Sequence, residues 1–125
     1  MKSQPKILPP SLRQKKRYII FKVLSEKPVE YMELVQSIWR SLLNFLGELK
    51  TSELNIWIIK NLFDQKTQRG LIRCSHKEVE YIRSALALVE EAGETRVLIK
   101  VEGVTGTIKS AKKKYLGYKD LTDFK

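Results

Sequence analysis

Cys74 and His76 are the only cysteine and the only histidine of the chain, and they stand close together in Arg73-Cys74-Ser75-His76. A thiol and an imidazole can act as nucleophile and base when both face one cleft. The local pattern separates them. Side chains of an extended run alternate, so Ile72 and Cys74 share one side while Leu71 and Arg73 share the other, which makes Cys74 a small core residue. Ser75-His76-Lys77-Glu78 fits the S-x-x-E capping box that opens a helix, and this puts His76 in a first helical turn. One histidine and one cysteine exclude a His-rich or Cys₂His₂ metal cluster, and no Gly-rich phosphate loop is present. Glu90 and Glu91 read as solvated acids at a helix end. Trp39 and Trp57 read as core aromatics rather than base-stacking platforms. No catalytic residue, no metal ligand and no protein-bound cofactor is expected.

What the sequence does concentrate is positive charge. Residues 1–17 hold Lys2, Lys6, Arg13, Lys15, Lys16 and Arg17 and no acid. Residues 109–125 hold six lysines, among them Lys112, Lys113 and Lys114, against Asp120 and Asp123. These two ends account for the whole formal net charge of +10, so the body between them is balanced. Cations placed against phosphates release condensed counterions, which makes a polyanion the favoured partner. A tail that only solubilises has little reason to combine Pro9-Pro10 with Ile7, Leu8, Leu12 and the cluster Lys15 to Arg17. The RNA-binding candidates are therefore Arg13, Lys15, Lys16, Arg17, Lys112, Lys113 and Lys114, with Arg69, Arg73 and Lys77 flanking the Cys74 strand. Arg73, pointing away from the core, can reach a phosphate or pair with an acid such as Glu102.

A chain of 125 residues, 42% hydrophobic and 30% charged, has room for one compact core. No apolar run approaches the roughly 18–20 residues of a spanning helix, and the N-terminus lacks a signal-peptide core. Together with the lone cysteine this points to a cytoplasmic protein without a membrane partner.

Those candidates have to be carried by a small number of elements. Residues 1–14, with Pro5, Pro9 and Pro10, read as a basic extended arm. Residues 15–26 are the clearest strand, with Ile19, Phe21 and Val23 on one face and Tyr18, Ile20 and Lys22 on the other. Tyr31, Leu34, Val35, Ile38, Trp39, Leu42, Phe45 and Leu46 keep helical spacing up to Gly47. Residues 54–63 read as a second strand and residues 69–74 as a third. The capping box then starts a helix whose stripe is Val79, Ile82, Leu86 and Val89, with Gly93 as its stop. Residues 95–104 form a last strand, with Val97, Ile99 and Val101 opposite Leu98, Lys100 and Glu102. Ile108, Ala111 and Tyr115 mark a short basic helix, and residues 118–125 a tail.

Strand, helix, strand, strand, helix, strand is the split βαβ order. It predicts an α+β, ferredoxin-like and RNA-recognition-motif-like domain over residues 15–117, with a four-stranded antiparallel sheet, two main helices and a short C-terminal helix. The central strands lack the stacking aromatics of an RNA-recognition motif, apart from Tyr18. Once the helix-facing side is filled, the aliphatic Ile20, Ile58, Leu71 and Leu98 are left for the open face, and Tyr18, Ile20, Leu71 and Leu98 are the candidate partner interface. A contiguous apolar patch of this kind is seldom left in water. Either a protein partner or a second copy of the chain covers it, or the helix around Ala111 folds back over it and makes Leu71 a core residue.

Several blocks together resemble the protein component 2 family of archaeal ribonuclease P. They are Leu8-Pro9-Pro10-Ser11-Leu12-Arg13, Lys16-Arg17-Tyr18-Ile19, Arg73-Cys74-Ser75-His76, Arg83-Ser84-Ala85-Leu86-Ala87-Leu88 and Gly103-Val104-Thr105-Gly106-Thr107-Ile108-Lys109. The resemblance implies a non-catalytic, RNA-binding subunit of the ribonucleoprotein that removes the 5′ leader of precursor tRNA. It also implies that catalysis belongs to ribonuclease P RNA and its magnesium ions, and that ribonuclease P protein component 3 is the close protein partner. Without the resemblance, a ferredoxin-like protein-interaction or ligand-sensing module with incidental basic tails remains the alternative.

Overall fold

The computed structural model describes residues 15–115. Its order is β1 (Lys16–Ser25), α1 (Tyr31–Ser52), β2 (Trp57–Ile58), β3 (Arg69–Ser75), α2 (Val79–Ala87), β4 (Glu91–Ala92), β5 (Thr95–Thr105) and α3 (Ile108–Tyr115). The sheet runs β2-β3-β1-β5-β4 and its pairings are antiparallel, with β1 at the centre. This is the split βαβ arrangement with one strand more than the four expected. The fifth, β4, lies beside β5 across the turn Gly93-Glu94, where Gly93 takes the left-handed backbone (φ 64°) that glycine adopts without steric cost.

Alternation along β1 divides the apolar residues between two cores. Ile19, Phe21 and Val23 meet Ile72, Cys74, Val97 and Ile99 on the face covered by α1 and α2. From the helices, Leu34, Ile38 and Leu42 meet Ile82, Ala85 and Leu86 in the same cluster. Gly70 pairs with Phe21 across the β1–β3 ladder, and the Phe21 and Phe63 rings stack above it with centroids 6.5 Å apart. A Cβ at Gly70 would lie 2.7 Å from Phe21 Cζ, so the packing of that ring requires glycine.

On the opposite face Ile20, Leu71, Ile59 and Ala111 form a second buried cluster, with Tyr18, Leu62 and Ile108 packed against it. The C-terminal helix therefore folds back over the sheet, and the expectation that Ile20 and Leu71 lie open to a protein partner is corrected. Both are fully buried beneath Ala111, and Tyr18 is half-buried at the rim. Leu98 alone of the four keeps an exposed side chain. The chain can cover this face because the β1–β5 register sets Tyr18 opposite Thr105, and α3 starts three residues later. Thr107 Oγ1 caps the new helix by accepting from the Ser110 amide at 3.1 Å.

Three element boundaries differ from the sequence reading. The second strand shrinks to Trp57–Ile58 because residues 60–62 turn into a 3₁₀ helix; Ile58, expected on the open face, lies in the main core, and Ile59 in the second cluster. The second helix stops at Ala87 rather than near Gly93, since Glu91–Ala92 joins the sheet. The first helix breaks at Gly47 as expected (φ 82°), but a helical turn resumes and ends at Ser52, tied back by Thr51 Oγ1 donating to the Leu42 carbonyl.

Candidate nucleic-acid interface

The β3–α2 junction does not bring a nucleophile and a base together. Cys74 is fully buried on the helix-facing side, and burial, with Glu78 nearby, pushes its thiol up to about 12. His76 is exposed at the start of a 3₁₀ turn, its amide donating to the Lys15 carbonyl at 2.8 Å. Ser75 and Glu78 occupy the two positions of a capping box, and the Glu78 half of it is hydrogen-bonded. The Glu78 carboxylate accepts from the Ser75 amide at 3.3 Å and from the Asn55 amide at 3.1 Å. Ser75 Oγ, although buried, has no hydrogen-bond partner among the described residues. Nor do any three His, Cys, Asp or Glu side chains of the described residues gather into a set that could hold a metal ion.

What the fold does bring together is the charge. Because β1 is antiparallel to both neighbours, its first residues lie beside the end of β3 and the end of β5. Lys16 stands opposite Ser75, Arg17 opposite Cys74 and Tyr18 opposite both Arg73 and Thr105. Lys15, Lys16 and Arg17 therefore share one end of the sheet with Arg73 and Lys77, and α3 sets out from that same end. Lys113 and Lys114 are exposed on α3 and Lys112 is half-buried. Basic residues from β1 and from the β3–α2 junction thus gather at one end of the sheet, and the helix that sets out from that end carries a second basic segment. Arg13 lies outside the described residues.

Arg69 is the exception. It sits at the far end of β3, opposite Lys22, and its guanidinium grips Glu102 through Nε at 2.7 Å and Nη2 at 3.2 Å. That hydrogen-bonded pair holds the Glu102 carboxyl below its ordinary range and raises Arg69. Glu102 is free to reach across because it is the extra residue of a bulge between Gly103 and Val101 of β5. The acid offered in the sequence to Arg73 is thus taken by Arg69.

Arg73 instead lies over the indole of Trp57, its cross-strand partner, 4.8 Å from the ring centroid. The reading of Trp57 as a core aromatic is corrected: it is 51% exposed, because its neighbour Ile58 takes the core side of the edge strand. Trp39 does pack against the main core. The sequence reading also missed Gln68, a buried residue with a left-handed backbone (φ 59°). Its side-chain oxygen accepts from the Val29 amide at 2.9 Å, while Gln65 Nε2 donates to the Val29 carbonyl at 2.7 Å. The signal was the Asp64-to-Gln68 turn itself, where Asp64 Oδ1 accepts from the Lys66 amide at 2.9 Å.

The chain is similar to known proteins over nearly all of its length. Residues 17–116 match the model of the Rpp14/Pop5 family. Ribonuclease P protein component 2 of Pyrococcus furiosus is 47% identical over 116 residues, covering 93% of this chain and 95% of the relative. The protein of the same name from Methanocaldococcus jannaschii is 40% identical over 114 residues, covering 91% of this chain and 82% of the relative. A chain in the cryo-EM structure of yeast ribonuclease MRP superimposes with a TM-score of 0.65 at 11% identity, covering 90% of this chain and 86% of that one. At that identity the likeness is one of fold.

Proposed function

The chain belongs to the Rpp14/Pop5 family, and on that footing we propose that it is a non-catalytic RNA-binding subunit of ribonuclease P, supporting RNA-catalysed removal of the 5′ leader from precursor tRNA. The observation that carries the RNA-binding role is the gathering of Lys15, Lys16, Arg17, Arg73 and Lys77 at one end of the sheet, from which α3 sets out with its exposed Lys113 and Lys114. Such a surface tracks a phosphate backbone through charge, and phosphate contacts fix position without reading sequence.

In this reading the protein's own residues bind and orient, while bond cleavage belongs to the ribonuclease P RNA and its magnesium ions. Ribonuclease P protein component 3 is the proposed protein partner, and the cytoplasm the proposed site of action. A protein contact has Leu98 and the exposed apolar residues of α1, such as Leu43 and Phe45, to work with. Ile20 and Leu71, beneath α3, are not available to it.

Reconstitution tests the proposal. Precursor tRNA cleavage is measured with ribonuclease P RNA and component 3, with and without this chain, and with the chain alone. The expected result is stimulation in the full mixture and no cleavage by the RNA-free protein. Replacing Lys15, Lys16 and Arg17 by Ala should weaken RNA association and flatten its salt dependence by roughly 0.9 per lost phosphate contact, on the duplex-DNA scale. Sustained cleavage by the purified protein alone, or an unchanged salt slope in the triple variant, would refute the corresponding half of the proposal.

A further inference from the structure

Trp57 has no work to do in the core. It sits on a two-residue edge strand, outside the area that α3 covers, and half of its surface is exposed. Arg73 over the ring fixes the plane of the indole without hiding it. The strand register places Trp57, Arg73 and Tyr18 in one row across β2, β3 and β1, with Lys16 and Ser75 in a neighbouring row. We propose that Trp57, backed by the Arg73 guanidinium, is a stacking platform for an unpaired base of an RNA strand whose phosphates run along the cationic end of the sheet.

This deepens the RNA-binding reading and rests on it. Charge complementarity selects the occupant: the indole carries Arg73 over its ring, and Arg73 shares its end of the sheet with Lys16 and Arg17 of β1 and with Lys77 just past β3, cations that favour a polyanion over an apolar protein surface. The strand must be single at this point, since a base still paired in an A-form helix offers no free face to an aromatic ring. A pre-oriented indole lets successive bases exchange on it with little regard to sequence. The position differs from that of an RNA-recognition motif, whose aromatics sit on the central strands; here α3 occupies that face and leaves the edge strand for stacking.

The test uses the full chain, a single-stranded oligoribonucleotide of mixed sequence and a fully paired RNA duplex of the same length, with affinities measured over a series of salt concentrations. Trp57→Ala should weaken single-strand binding about five- to 150-fold, the range of one base–aromatic stack. The salt slope should stay unchanged, because no phosphate contact is lost. Duplex affinity should also stay unchanged, Trp57→Phe should recover most of the loss, and quenching of tryptophan fluorescence by the single strand should vanish in Trp57→Ala. If Trp57→Ala binds the single strand as the parent does while the Lys15, Lys16 and Arg17 triple variant is weakened, the stacking site is overturned and the RNA reading stands. If the parent binds neither RNA, both fall. A Trp57→Ala chain that keeps its RNA affinity but loses component 3 assigns the indole to a protein contact and overturns the proposal.

Discussion

Leu71 decides whether α3 is part of the fold or an appendage, and Leu71→Ala measures it. The side chain is fully buried in a cluster of four buried residues roofed by one eight-residue helix. Leucine-to-alanine changes in cores cost about 2–5 kcal/mol, more where the surroundings cannot collapse into the space. A short helix held on one side can settle, so the expected loss is about 2–3 kcal/mol. At about 5 °C per kcal/mol for a domain near 100 residues, the thermal midpoint should fall on the order of 10–15 °C. Circular dichroism melts give the number. Leu71→Asp should leave no cooperative transition, because an unpaired charge would replace the centre of the cluster. Ala111→Asp is the complementary change: Ala111 is fully buried on the roof side, so it should destabilise as well. A Leu71→Ala midpoint within two or three degrees of the parent, or an Ala111→Asp variant that melts normally, would refute the fold-back. A folded Leu71→Asp protein that loses component 3 would restore the interface assignment in its place.

Gly70→Ala should cost about 1–3 kcal/mol by overpacking, since its Cβ would press on Phe21 Cζ at 2.7 Å within the main core; urea unfolding checks this, and a neutral outcome would mean that the Phe21 ring can shift. The Glu102 carboxyl is depressed by the Arg69 hydrogen bonds, so its contribution is present above the unfolded-state value of about 4.3 and is lost as the pH falls through the folded one. Glu102→Gln should cost up to about 1 kcal/mol at neutral pH, a modest figure because both partners keep some solvent contact. The parent and variant stability curves should approach each other in acid, and parallel curves would show that the pair contributes nothing. Cys74, buried with its thiol pushed up to about 12, should resist alkylation at pH 8 in the folded protein. Its labelling rate should rise only with denaturant, and rapid labelling of native protein would contradict the burial.

Where a sequence pattern determined one local outcome, the reading and the structure agree. Ile19, Phe21 and Val23 can face only one side of an extended run, and Ser75 with Glu78 can open only a helical turn. The misses come from patterns that two structures satisfy equally well. Val89 and Ala92 are three apart, which fits a continuing helix, yet the same two residues also fit the core end of a hairpin that closes at Gly93. The run Leu54 to Phe63 is rich enough for a long strand. Alternation holds through Ile58 and Ile59, which face opposite cores, and it turns Trp57 away from the main core; what ends the strand is the 3₁₀ turn at residues 60–62. Whether α3 covers Leu71 depends on Thr105 ending beside Tyr18, a fact of register between strands far apart in the chain. No local window contains it.

The same helix explains why the cationic end and the exposed indole fall where they do. An open split-βαβ sheet offers its central strands to single-stranded RNA, and base stacking there gives a protein some power to choose a sequence. In this chain α3 places Ala111 against Ile20 and Leu71 and turns Lys113 and Lys114 to solvent, so one element closes the face and rebuilds its rim in positive charge. Recognition then shifts from face to rim. On the stacking proposal, phosphates are held along the end of the sheet and an unpaired base is met at the edge by Trp57. Binding of that kind is strong at low salt, falls steeply as salt rises and discriminates weakly among sequences. On the proposed function, those properties suit a subunit whose partner RNA carries the specificity and the chemistry while the protein neutralises and positions the backbone. Trimming the chain ahead of Ile108 would reverse both effects at once: it would bare Ile20 and Leu71 and remove the α3 lysines. The shortened protein should lose stability and salt-dependent RNA affinity together, whereas replacing Lys113 and Lys114 by Ala should reduce affinity and leave the melt unchanged. Affinity and stability falling together in that double variant would show that the lysines hold the helix down and do not face the RNA.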